Sequence, residues 1–267
     1  MSNLNFTLGI VHNTQLISPS FIEKFHTLEI KNPKLDIPFK NDYLYHSNYA
    51  VSLDDVESEL KKDLKKLNFL KIRRFSFDVG PCYKTVETKN YKYYPGKTLI
   101  KKDDLISRTG EEISKLNKLF SFETNLAIEN LNYYNTGAYE EEVCLPEFYN
   151  EISERYSVEQ VLDLAHLKVT AINLGIPYED LLSRINHKYV KEIHLTKIKI
   201  LDKNTAIDAH DAPDEIEFKD LLYAISLNPN NDIDIVIEAW KDTEKLISSF
   251  NKLYYFLNNN SDHQVKF

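Results

Sequence analysis

The chain is poor in the residues that define several protein classes. Two cysteines, Cys82 and Cys144, in 267 residues leave no disulfide framework and no cysteine-type zinc site. Both are expected to be reduced and structural, the usual habit of free thiols. No apolar run approaches the ~20 residues that span a bilayer. No basic-then-apolar leader opens the chain either, so the expectation is a soluble, cytoplasmic protein with no membrane partner. Glycine and proline are scarce, at 6 and 9, and neither gathers with serine into a linker, so one domain is expected. A clustered basic face is missing as well. The net charge is −8 with both signs spread along the chain, which argues against nucleic acid as the main partner. The basic run Lys61-Lys62 with Lys65-Lys66 is interleaved with Asp54, Asp55, Glu57, Glu59 and Asp63 and reads as a solvated helix face.

What is present is a large apolar fraction, 42% hydrophobic and 12% aromatic, enough to bury a substantial core. It falls into eight short β-rich runs, at 5–11, 27–30, 43–45, 71–78, 126–129, 161–163, 190–195 and 233–238. Helical periodicity separates them at 19–25, 53–67, 103–120, 145–156, 166–173, 178–184 and 218–225, and 243–257 closes the series. A polar, tyrosine-rich loop is expected at 81–97. Repeated β-then-α units of this number predict an α/β fold, a (β/α)8 TIM barrel over 1–257, followed by a polar tail at 258–267.

In such a barrel the strand C-termini share one mouth. The strand ends read His46, Asp78, Glu129, Asp163 with His166, His194 and Glu238, and the loop after the seventh strand adds Asp208 and His210. Every one is a metal-ligand type. Burying so many ionisable groups together without compensation costs many kcal/mol, and cations are the ordinary compensation. The donor set, imidazole and carboxylate without thiolate, suits iron, manganese or zinc, and its size suits two or three ions. Plainer readings exist for single residues. Glu129-Asn130 reads also as a cap, Asp163 to His166 has N-cap spacing, and Asp208 to Asp211 before Pro213 reads also as a polar turn. His12, His26, His187 and His263 are read as structural.

These motifs, taken in order, resemble the multinuclear non-haem iron-dependent oxidative enzymes (MNIO), a barrel family that modifies ribosomally made peptides. The residues carrying the resemblance are Glu129-Asn130-Leu131-Asn132-Tyr133, Pro146-Glu147-Phe148 leading to Leu162-Asp163-Leu164-Ala165-His166, Glu192-Ile193-His194-Leu195, Asp208-Ala209-His210 and Ile237-Glu238, with His46 earlier. The resemblance implies that His46, Glu129, Asp163, His166, His194, Asp208, His210 and Glu238 are iron ligands. Glu29 and Asn130 are implied to support ligands rather than bind metal. His166 stands where the family has Asn. Ser76-Phe77-Asp78 lacks the family's fourth-strand histidine, so Asp78 is either its replacement or a neighbour. The segment Val11-His12-Asn13-Thr14 lacks the family's glycine-rich arginine stretch.

The implied cofactor is two or three irons, mixed Fe(II)/Fe(III), with O2 as co-substrate. The implied substrate is a precursor peptide in natural-product (RiPP) biosynthesis, oxidised at a residue, often Cys, or its backbone. A separate leader-peptide-binding partner protein is implied too. Two other readings stay open. One is a xylose-isomerase-like, metal-dependent sugar isomerase or endonuclease, which calls for a phosphate-binding Arg/Lys cluster or a catalytic lysine in the mouth, with Lys197 and Lys199 the nearby candidates. The other is a degenerate, non-catalytic barrel subunit.

Overall fold

The structure, a computed structural model, describes residues 5–12, 27–31, 43–67, 71–89, 92–120, 124–229, 232–239, 241–260 and 264–266. Eight parallel strands form its centre: β1 (Asn5–His12), β2 (Thr27–Ile30), β3 (Tyr43–Ala50), β4 (Ile72–Asp78), β5 (Asn125–Glu129), β6 (Glu159–Asp163), β7 (Val190–Leu195) and β8 (Asp232–Ile237). Each pairs with the next in chain order, and β8 pairs back on β1 from Asn5↔Asp232 to Ile10↔Ile237. That last pairing closes the sheet into the expected (β/α)8 barrel.

The strands alternate in an inverted sense, with apolar side chains outward under helices and polar ones inward. On β4, Phe75 and Phe77 are fully buried on the outer face, while Arg74, Ser76 and Asp78 occupy the inner one. On β7, Ile193 and Leu195 pack outward, and Glu192 and His194 face the lumen. A small apolar plug, Val11, Leu44 and Val236, fills the middle of the lumen. Below it Arg74 joins Glu159 (2.7 Å), Glu192 (3.2 Å) and Asp234 (2.5 Å), and Arg73 forms a fork on Asp234 at 2.7 and 2.8 Å. Gly9 is required on β1, because a Cβ there would sit 2.6 Å from Thr27 Cγ2 and 3.0 Å from the Thr27 carbonyl oxygen on β2.

The covering helices are α1 (Val56–Leu67), α2 (Lys102–Leu119), α3 (Glu141–Cys144), α4 (Pro146–Tyr156), α5 (Leu164–Leu174), α6 (Tyr178–Ser183), α7 (Glu215–Leu227) and α8 (Thr243–Asn260). Their starts and stops follow local chemistry. Pro146 opens α4, Gly175 at φ 68° ends α5, and a capping box of Asp214 and Glu217 opens α7.

Four expectations change. The third strand runs to Ala50, well beyond residue 45, with an irregularity after His46. The 81–97 loop contains a first hairpin, Val86–Lys89 with Lys92–Pro95. The segment after β7 is a second hairpin, Lys197–Asp202 with Thr205–Asp211. The 258–267 tail is partly ordered secondary structure: α8 continues to Asn260, and Gln264–Lys266 pairs with the start of β1, giving those polar residues ladder hydrogen bonds. The helix expected at 19–25 lies outside the described residues.

Candidate metal centre at the barrel mouth

The nine residues read from the sequence all arrive at the C-terminal mouth, and strand register sets four of them there as two pairs. Asp78 on β4 lies beside Glu129 on β5, and Asp163 on β6 beside His194 on β7. Glu129 is central. Its Oε2 lies 3.2 Å from His46 Nε2, and its Oε1 lies 3.3 Å from His194 Nδ1 and 3.6 Å from His166 Nδ1. Glu238, one residue past β8, places Oε2 3.2 Å from His194 Nδ1 and Oε1 3.7 Å from His210 Nδ1. Asp208 Oδ2 lies 2.8 Å from His210 Nε2 and 3.6 Å from His166 Nε2.

Two sets of donors crowd within 4.8 Å: His46 with Asp78 and Glu129, and Glu129 with Asp163, His194 and Glu238. An outer group, His166, Asp163, Asp208 and His210, adjoins them through contacts of 2.8–3.9 Å. A third close set, Glu29, Glu192 and His194, lies on the far side of the His194 ring. Glu29 Oε2 and Glu192 Oε1 stand 2.7 and 3.0 Å from Nε2. Nε2 therefore carries a proton, and Nδ1, facing Glu129 and Glu238, is the nitrogen a metal ion would take. Burial opposes charge on the ring, but Glu29 and Glu129 outweigh it and hold its pKa well above the ordinary value.

Asp163 serves two purposes. Its Oδ1 accepts from the His166 backbone N–H at 2.8 Å and so caps α5, while Oδ2 faces the site. The Asn130 amide grips both backbone groups of Asp163, at 2.7 and 3.0 Å, and the Asn130 carbonyl lies 2.7 Å from His166 Nδ1. His46 Nδ1 meets Ser76 Oγ at 3.0 Å. The second hairpin carries Asp208 and His210 at a bulge: Ile198 pairs with Asp208 and Lys197 with Asp211, so residues 209 and 210 form the extra length of the bulged strand. His210 sits in the left-handed region at φ 45°, a conformation that costs a non-glycine residue about 1–3 kcal/mol. Asn173 on α5 latches this hairpin, accepting from Ala206 N at 2.7 Å and donating to Tyr133 O at 2.7 Å, and the Asp208 N–H donates to the Tyr134 hydroxyl.

The electrostatics are strained without cations. Burial pushes Asp78 up to about 7, Asp163 to about 6 and Glu29 to about 8. Burial, then Lys31, takes His46 down to about 3. Burial also disfavours charge on Glu129, yet His46 and His194 outweigh it and hold that carboxylate below its usual range. Asp78 Oδ1, Glu129 Oε1, Asp163 Oδ2, Glu238 Oε2 and His194 Nδ1 are all buried and make no hydrogen bond. These are donor atoms at the mouth that a set of hard-to-borderline metal ions would displace protons from and use.

Sequence reasoning passed over Glu192 and Lys31. Glu192 shares the inward parity of His194 two residues on, so strand alternation marks it. Lys31 follows Glu29 by the same step, and its ammonium pairs with Glu238 and lies 3.8 Å from Glu29. The lysines expected near the mouth are elsewhere: Lys199 is exposed, and Lys197 pairs with Asp214 outside it. His187 is buried with Nε2 on the Leu182 carbonyl at 2.9 Å, and both cysteines are free and buried.

The fold and site define a (β/α)8 barrel with a carboxylate–imidazole cluster suited to several metal ions. Residues 82–252, well over half of the chain, match the family described as RiPP precursor modification enzyme MbnB/TglH/ChrH, so the chain belongs to that family, the MNIO enzymes resembled by its motifs. A comparison with curated proteins finds no match. Similar solved structures include 3-keto-D-glucoside 4-epimerase YcjR from E. coli (TM-score 0.60, 11% identity, covering 95% of this chain and 99% of that one). D-psicose 3-epimerase from Clostridium cellulolyticum H10 is also similar (0.57, 13%, 95% and 98%), as is a xylose isomerase domain protein from Planctomyces limnophilus (0.56, 9%, 97% and 96%). At these identities the likeness shows the fold. Among the described residues no helix is long and apolar enough to cross a membrane.

Proposed function

We propose that the protein is a cytoplasmic, multinuclear iron enzyme that uses O2 to oxidise a residue, Cys or its backbone, in a ribosomally made precursor peptide, assisted by a separate leader-binding protein. The observation that carries this reading is Glu129. Its two oxygens address different imidazoles, His46 on one side and His194 on the other, the placement of a carboxylate that bridges two ions. His46, Asp78 and Glu129 would hold one ion, and Glu129, Asp163, His194 and Glu238 a second. A third would be held by Asp163, His166, Asp208 and His210. Asp78 thereby takes the place of the family's missing histidine. Bound iron in mixed Fe(II)/Fe(III) states would supply dioxygen activation and hydrogen abstraction from the peptide residue.

The chain's own part is positional. Glu29 and Glu192 hold the Nε2 proton of His194 and fix its donor face. Asn130 fixes the backbone of Asp163, and Lys31 offsets part of the charge on Glu238. Lys31 also favours a second, redox-free reading, the metal-dependent isomerase or endonuclease, because it is a lysine in the mouth. Metal analysis of anaerobically purified protein separates the two. Two or three equivalents of iron are expected, whereas zinc, manganese or magnesium in iron's place would overturn the oxidative reading.

A further inference from the structure

The first hairpin and its flanks carry more positive charge than the fold uses, although Lys92 lies over the Tyr134 ring and Lys102 pairs with Glu151 at 3.5 Å. Residues 83–102 hold six lysines against one carboxylate, Glu87, in a chain of net charge −8. Among the described residues no carboxylate lies within 4.0 Å of the ammonium groups of Lys84, Lys89, Lys92 or Lys97. Several surface lysines elsewhere are paired, Lys62 with Glu59, Lys168 with Asp220 and Lys219 with Glu215. Lys89 and Lys92 stand directly opposite each other in register. Like charges in that position destabilise a hairpin, and one glutamate would relieve them.

The ribbon is nevertheless firmly built. Lys84 N donates to Thr98 O at 3.1 Å, Ile100 N to Cys82 O at 2.8 Å and Lys97 N to Thr85 Oγ1 at 2.8 Å. It is also fixed to the rim of the mouth. It follows Asp78 in the chain, Cys82 N donates to Ala138 O at 2.9 Å, and Thr136 Oγ1 donates to the Tyr93 carbonyl. The Tyr93 ring lies 6.2 Å from that of Tyr139, and its phenol is raised by burial and by the nearby Asp78 carboxylate.

We propose that this hairpin is the docking strip for an acidic segment of the precursor peptide, which lies along Lys84, Lys89 and Lys97 while the residue to be modified reaches inward past Tyr93. The proposal rests on the peptide-modifying reading above and adds the chemical character of the substrate. Lys84 precedes the strand and Lys89 ends it, so the two lysines mark opposite ends of Val86–Lys89, a stretch that an extended peptide of similar length can follow. A nucleic acid is disfavoured, since a longer polyanion would run onto the acidic remainder of the protein.

The test uses the full chain, purified anaerobically and offered ferrous iron, and fluorescence anisotropy at low and physiological salt. The probes are a short labelled peptide alternating Glu and Gly, its Gln counterpart, and an oligothymidylate of equal charge. The Glu peptide should bind in a salt-sensitive way and the Gln peptide should not. Combined Lys84→Glu, Lys89→Glu and Lys97→Glu should weaken binding about tenfold or more, whereas Lys219→Glu with Lys245→Glu should leave it unchanged. Equal binding of the Glu and Gln peptides would overturn the proposal. So would equal loss in the control variant, or oligothymidylate binding as tightly as the peptide. Iron content is read in parallel. Protein that binds the Glu peptide yet takes up no iron defeats the oxidative reading alone, and iron-loaded protein indifferent to peptide charge defeats the docking strip alone.

Discussion

At the scale of single residues, the surroundings of a buried histidine separate groups that could hold metal from groups that only hold the fold. His194 and His187 are both buried histidines. His194 keeps Nδ1 free of hydrogen bonds among carboxylates, while His187 places Nε2 on a backbone carbonyl. His194→Ala and His210→Ala are therefore expected to lose iron and activity while circular dichroism still reports a folded barrel. His187→Ala is expected to keep full iron and lose about 1–3 kcal/mol of stability, from one buried hydrogen bond. Full iron and turnover in His210→Ala would exclude that residue from the site. The cysteines give an independent check. Burial pushes the Cys82 thiol up to about 11 and Cys144 well above its ordinary value. The thiolate is the reactive form. Neither should react with a thiol reagent in native protein at pH 8, and both should do so once it is unfolded.

At the scale of elements, β7 matches the sequence reading residue for residue, because Glu192-Ile193-His194-Leu195 alternates polar and apolar and polar residues flank the strand. The third strand was legible only to Tyr45, since Ser47, Asn48 and Tyr49 interrupt the apolar pattern while the backbone continues to Ala50. The hairpins were not legible. The strands of the first, VETK and KYYP, have no buried face and so no hydrophobic period. The second buries only the small Ala206 and Ala209, while the alternating Lys197-Ile198-Lys199-Ile200 is left half-buried to exposed. The candidate ligands were legible because a strand end is a fixed address in a closed barrel. Glu192 and Lys31 were not, because they lie one residue pair below or beyond the ends that were read. Packing between neighbouring strands yields its own expectation. Gly9→Val would drive a side chain into Thr27 on β2 and should cost about 1–3 kcal/mol, seen as a lower melting temperature.

At the scale of the whole molecule, closure gathers Glu29, Asp78, Glu129, Asp163, Glu192, Asp208 and Glu238 around one opening, and Lys31 neutralises only part of that charge. Ligands that bind only the folded state stabilise it, by roughly 4 kcal/mol at a thousandfold excess over Kd. Chelator-stripped protein should therefore melt at a lower temperature than the iron-loaded form and recover when iron is restored. An unchanged melting temperature would mean that the mouth does not depend on cations for its stability.

The bulged second hairpin makes the cluster unequal in its permanence. Asp208 and His210 ride on a flap tied down by Asn173 and Tyr134, whereas the inner donors belong to the barrel wall itself. The outermost cation would then have the shortest residence time, escaping whenever the flap lifts while its neighbours stay behind. Asn173→Ala, which removes a tie and no donor, should quicken the first phase of metal loss to a chelator and leave the slower phases as they were.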